Sequence, residues 1–160
     1  MYLRFRRLFE HDDEANAKAI SSIRSCREGP ERTRAIGIMA HTLVARKEWL
    51  RRLGGPAGGG PLADFFPKDF TVDGLERLLA EVRGTWQEYL SHLTDAKIRQ
   101  VLEYTSSEGK RWSTHVEEAL TQVSLHGAYH RGQIAMLVKQ GGGEPAATDF
   151  IITARTALPG

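Results

Sequence analysis

Residues 126–142 read HGAYHRGQIAMLVKQGG. The stretch has helical composition and closes on glycines at Gly141 and Gly142, which suit a helix exit. Ala119, Val123, Ile134 and Leu137 recur at helical spacing and predict a core-facing flank. His126 and His130 share that flank. Their i,i+4 spacing sets them about one turn, roughly 6 Å, apart on one face. Unpaired imidazoles are costly to bury, so two of them on an apolar flank require a partner. Both rings can reach one cation.

The same spacing occurs in H-E-x-x-H zinc helices, but here Gly127, Ala128 and Tyr129 lie between the histidines. No glutamate stands in the general-base position, so a metalloprotease is excluded. Gly127 and Gly132 each cost ~1 kcal/mol of helix propensity. They also remove side chains around the pair, so a second helix is expected to approach there. His41 is the third candidate. It sits mid-helix in GIMAHTLVA, residues 37–45, which is free of charge. Three neutral imidazoles would leave coordination positions open, as catalytic rather than structural metal sites do. The other histidines compete poorly. His11, beside Asp12 and Asp13, reads as surface unless the first helix turns it inward. His92 is near a helix C-terminus, where a positive imidazole is favourable. His115 reads as solvated in a first helical turn.

Working outward, four long segments carry helical period. The first runs from about Leu3 to Arg27, with Phe5, Leu8, Ala15, Ala19 and Ile23 on one face. The second runs from about Glu31 to Leu53, entered by Pro30 and left by Gly54. Ile38, His41, Ala45 and Trp49 mark its flank. The third is expected over Val72–His92, capped by Thr71, with Leu75, Leu78, Val82, Trp86, Tyr89 and Leu93 as its stripe. The fourth starts near Thr114, where Thr114 and Glu117 have capping-box spacing, and ends at the glycines of 141–143.

Between the second and third helices lies GGPAGGGPLADFFP, residues 54–67, the most loop-like stretch in the chain. Phe65 and Phe66 suggest that its far end is pinned, and long ordered loops often carry function. LTDAKI, residues 93–98, predicts a short turn. RQVLEYTSSEGKRWST, residues 99–114, loses helical period and predicts a β-hairpin turning at SSEG. The apolar run Phe150–Ile152 is expected to pack onto the helices. Together these elements predict an all-α four-helix bundle with a small β-hairpin between helices three and four, spanning 1–160 as one domain. Trp49 and Trp86 read as core residues.

A chain of 160 residues, 41% hydrophobic and 26% charged, is long enough and apolar enough to bury a core without staples. Its net charge of +2 argues against a nucleic-acid surface, which needs a clustered basic excess. The locally basic RFRRLF, residues 4–9, reads as a solvated helix face. Cys26 is the only cysteine, which rules out an internal disulfide and a thiolate-rich zinc site. No stretch approaches the ~20 apolar residues of a membrane span, and no signal-type h-region opens the chain. A soluble cytoplasmic protein is expected.

The segment HVEEALTQVSLHGAYHRGQIAMLVKQGGGEPAATDFI, residues 115–151, resembles the C-terminal signature of the DinB/YfiT-type metalloprotein superfamily, in its DinB branch. The H-x-x-x-H-R-G-Q core followed by G-x-E-P and T-D carries the likeness. It extends to AHTLVARKEWLRRL (40–53), to LTDAKI with its hairpin, and weakly to FEHDDEANAKAI (9–20). The resemblance implies a four-helix bundle whose metal is held by one histidine of the second helix and two of the fourth. Carried over, these are His41, His126 and His130, the trio that spacing also selects. Arg131 and Gln133 match the motif too. Arg131 reads as a surface or interface ion pair ahead of a substrate contact. Gln133 is placed to orient a ligand or a neighbouring backbone group, and Asn16 to reach the site from the first helix.

The resemblance further implies thiol chemistry: a divalent metal, zinc or nickel foremost, activating a low-molecular-weight thiol cosubstrate against an electrophile. The expected partners are a small-molecule substrate and a second copy of the chain, the homodimer being motivated also by apolar positions on helices one and three. The competing readings are a metal-binding stress or interaction protein without turnover and a metal-dependent hydrolase. A cleft reaching the metal separates the first of these from an enzyme.

Overall fold

The computed structural model describes residues 2–55 and 64–158. Its elements are α1 (Tyr2–Ser25), α2 (Pro30–Arg52), α3 (Val72–Ser91), α4 (Asp95–Ile98), β1 (Val101–Thr105), β2 (Arg111–His115), α5 (Val116–Gln140) and α6 (Phe150–Ala154). The fold is mostly helical with one small antiparallel sheet. The fourth helix expected from sequence is α5. Residues 56–63 of the glycine-rich connection lie outside the described residues.

The helix ends follow local chemistry. Thr71 caps α3 by accepting from the Gly74 amide at 3.1 Å, as expected. Thr94 does the same for the one-turn α4 through Lys97. The cap of α5 is one residue later than its spacing suggested. His115, not Thr114, is the N-cap, and its amide donates to Glu118 rather than Glu117 at 2.9 Å. Thr114 also donates to Glu118, at 2.5 Å. The shift arises because Thr114 and His115 are committed to β2, in register with Leu102 and Val101.

The four long helices pack on one another: α5 against α1 and α2, and α3 against the same two. Two clusters form the core. One gathers Phe5, Phe9, Leu50, Val82, Trp86, Leu120 and Val123. The other gathers Ala19, Ile23, Met39, Leu43, Leu75, Ile134 and Val138. Phe5, Ala15, Ala19 and Ile23 are buried as their spacing predicted, and so are Leu75, Val82, Trp86, Tyr89 and Leu93. The stripe of α2 is rotated from its expected position. Ala45 is buried as expected, together with Ala35, Met39, Leu43 and Leu50, whereas Ile38, His41 and Trp49 are only half-buried on the border. Trp49 meets Tyr104 of the hairpin at 5.3 Å between rings, and the Arg52 guanidinium stands 4.9 Å from each ring. That contact fastens the hairpin to α2. Trp86 is fully buried, with its indole donating to the Arg46 carbonyl at 3.2 Å.

Two further expectations need correction. His11 is buried rather than on the surface: its Nδ1 lies 3.1 Å from the Thr153 hydroxyl, and its ring meets Phe150 edge-on. That contact seats α6 on α1, yet Phe150, Ile151 and Ile152 all stay exposed. Among the described residues, no helix is long and apolar enough to cross a membrane.

Candidate metal centre

His41 of α2 and His126 and His130 of α5 converge. Their ligand atoms all lie within 4.8 Å of one another. The Nε2 atoms of His126 and His130 are 3.0 Å apart, and the His41 ring packs edge-on against both. The i,i+4 step on α5 supplies the pair. The third ring is brought in by the packing of α2 on α5.

Two of the rings are held by partners that fix their tautomers. His41 Nδ1 lies 2.7 Å from the Phe65 carbonyl, which can only accept, so the proton is on Nδ1. His130 Nδ1 lies 2.7 Å from Gln133 Oε1 and donates in the same way. In each ring the lone pair is left on Nε2, as a metal-ligating histidine requires. Burial pushes the His126 pKa down to about 4, helped by the neighbouring His130 and His41. His130 is lowered as well, burial outweighing its bond to Gln133. His126 and His130 are thus neutral donors at pH 7, and a set of three imidazoles suits a divalent first-row transition metal. The donor set therefore fits the metal that the sequence suggested.

Phe65 and Phe66 show how the far end of the glycine-rich connection is pinned. The Phe65 carbonyl orients His41, and the Phe66 ring stacks on it at 4.8 Å and 7°. A cleft of about 380 Å³ opens on the imidazoles, lined by Arg34, Gly37, Ile38, His41, Phe66 and His130. A larger groove, about 580 Å³ between α1 and α5, has no histidine in its lining.

The other candidates fall into two sets. Gln133 orients His130. Arg131 and Asn16 are buried together behind the rings: Arg131 Nη1 donates to Asn16 Oδ1 at 2.9 Å and to the Asp12 carboxylate. Arg131 is therefore not a surface ion pair, and the hydrogen bond of Asn16 goes to Arg131 rather than to a ring. Gly127 explains the geometry. A Cβ there would come within 2.7 Å of Asp12 Oδ1, so this glycine admits α1 as expected. Gly132 does not share that role, because a Cβ on it would meet nothing within 4 Å.

Sequence reasoning missed Asp12, Asp13 and Arg46. Arg46 Nη1 lies 2.8 Å from Asp13 and 3.5 Å from Asp12, and all three are buried. Two aspartates and two arginines thus balance charge in the interior, which is what makes their burial tolerable. A signal was present. Asp12 stands four residues from both Leu8 and Asn16, and Arg46 three from Leu43 and four from Leu50, at core positions of their helices.

The chain belongs to the DinB family. The family model matches residues 30–159, which contain all three histidines, Gln133 and Arg131. The match begins after α1, so Asp12, Asp13 and Asn16 lie outside it. A search of curated proteins finds no match.

Proposed function

We propose that this DinB-family chain is a metal-dependent enzyme of thiol-transfer type, built as a four-helix bundle in a single domain. His41, His126 and His130 hold zinc or nickel. The observation that carries the reading is the convergence of three imidazoles, two of which, His41 and His130, line an open cleft. That cleft favours an enzyme over a binding protein without turnover. Bound there, a divalent metal supplies the Lewis acidity that turns a thiol into its thiolate at neutral pH. The protein's own residues do the positioning. Gln133 and the Phe65 carbonyl hold two rings in the ligating tautomer. Arg131, paired with Asp12 and Asn16, fixes α5 against α1 beneath them. Phe66 covers one face of His41 and narrows the approach. Asp12, the carboxylate that acts on His126, is committed to Arg131 and Arg46. Exposed Leu125, Tyr129 and Met136 on α5 support a homodimer, which a monomeric mass by light scattering at every concentration would rule out.

The test is a screen of small thiols against electrophiles, metal-loaded and chelated, on wild type, His126→Ala and Cys26→Ser. Loss of a ligand removes metal and turnover together. Cys26→Ser retains both, because Cys26 is buried against Gly141, about 16 Å along α5 from His130. Full turnover in His126→Ala, or its loss only in Cys26→Ser, would point to a protein thiol instead. Turnover with water alone would indicate a hydrolase, and none under any condition a binding protein.

A further inference from the structure

The wall of the histidine cleft carries residues that metal binding leaves unexplained. Arg34, Gly37, Ile38 and His41 lie along one side of α2, at steps of three and four residues. Seven residues at 1.5 Å each place Arg34 about 10 Å from His41 along the helix axis. Arg34 is exposed, and among the described residues no carboxylate or carbonyl pairs with it. Its neighbours behave differently: Arg32 binds Glu28 at 2.9 Å, and Arg24 grips Asp73 and Glu76.

Gly37 stands between Arg34 and His41. A Cβ there would meet nothing within 4 Å, so the fold itself does not require glycine. Glycine is also the poorest helix former after proline. What a side chain at this position would occupy is the cleft. Beside it are Ile38 and the ring of Phe66, which is 72% exposed yet held within 7° of the His41 plane. Read outward from the imidazoles, the cleft has an aromatic wall, a bare apolar floor and a free guanidinium at its far end.

We propose that this cleft selects a small molecule with a carboxylate at one end. The carboxylate pairs with Arg34, an apolar chain lies over Gly37 and Ile38 against Phe66, and the reacting end reaches the imidazoles. The proposal rests on the metal-site reading above and adds the class of ligand to it. Arginine is suited to the task because its planar fork matches a carboxylate with two parallel hydrogen bonds.

The experiment uses the cobalt-loaded chain, whose visible absorption reports metal uptake and whose near-ultraviolet sulfur-to-cobalt band reports a bound thiol. The probes are ω-mercaptohexanoate and its neutral counterpart, mercaptohexanol. Wild type is expected to bind the carboxylate at least about fivefold more tightly, a preference that falls with added salt. Arg34→Gln is expected to abolish the preference while leaving cobalt uptake and mercaptohexanol affinity unchanged. Gly37→Leu is expected to weaken both thiols without altering cobalt uptake. Equal affinity of wild type for the two thiols, no binding of either, or a preference that survives in Arg34→Gln overturns the carboxylate assignment while the metal site stands. Unchanged thiol binding in Gly37→Leu overturns the placement of the chain over Gly37. Failure to take up cobalt overturns the metal-site reading, and this inference with it.

Discussion

At the scale of the residue, the chemistry of the site depends on which ring nitrogen carries the proton. A histidine in water exchanges between two tautomers. His130 does not have that freedom, because Gln133 Oε1 accepts from its Nδ1 at 2.7 Å. Gln133 thus acts on a metal through the ring it orients. Replacing such a partner typically costs 10–100-fold in metal affinity. Gln133→Ala is therefore expected to weaken zinc binding by about that factor in competition with a chromophoric chelator. Because Gln133 is only half-buried, the metal-free variant should unfold within about 0.5 kcal/mol of wild type. Unchanged zinc affinity would show that the ring is held by packing alone.

At the scale of the element, α5 contains two interior glycines whose roles differ. Gly127 faces Asp12 of α1, and an added Cβ would fall 2.7 Å from a buried carboxylate oxygen that is already committed to Arg131. Gly132 faces open space. Replacing glycine by alanine in a helix gains up to ~1 kcal/mol where nothing obstructs it. Forcing a methyl into a packed site costs about 1–3 kcal/mol. Gly132→Ala should therefore raise stability by about 0.5–1 kcal/mol, while Gly127→Ala lowers it by about 1–3 kcal/mol. Urea unfolding of the two variants is the measurement. Equal shifts would mean that α1 does not press on α5 as described. Sequence alone treats the two glycines alike, since each lies within two residues of a histidine.

At the scale of the whole molecule, buried charge ties the helices together and sets the response to acid. Asp12, Asp13, Arg46 and Arg131 join α1, α2 and α5. Within α2, Glu48 is buried and accepts from Arg51 at 2.8 Å and from Arg52 at 3.0 Å. Burial alone would raise its pKa, but the two guanidiniums together hold it below the ordinary 4.5. A carboxylate whose folded pKa is depressed stabilises the fold above its unfolded pKa. That stabilisation is lost as pH falls through the folded value. Glu48 should thus contribute a loss of stability on acidification below about pH 4.5, opposed by Asp13, whose carboxyl burial pushes up. Glu48→Gln should be about 1–2 kcal/mol less stable at pH 7 and show a shallower acid limb. Thermal unfolding across pH 3–7 decides the matter, and parallel profiles for the two proteins would remove Glu48 from the account.

The sequence by itself determined whatever depends on spacing along one segment. Helical period placed the buried faces of α1, α3 and α5, Thr71 marked the start of α3, and the i,i+4 step put His126 and His130 on one face. These are local properties, fixed by 3.6 residues per turn and by the hydrogen-bonding needs of helix ends. Only the tertiary structure decided which side of α2 faces the core, because its buried face carries Arg46 and Glu48 beside apolar residues. Hydrophobicity by itself reads such residues as solvent-facing. The same reason hid the burial of His11, Asp12, Asp13 and Arg131. A charge is tolerated inside only when a partner from another helix neutralises it, and that partner is 119 residues away for Asp12 and Arg131. The family motif named His41 beside the α5 pair, but only the packing of α2 on α5, with the Phe65 carbonyl turning the ring, shows the three imidazoles meeting.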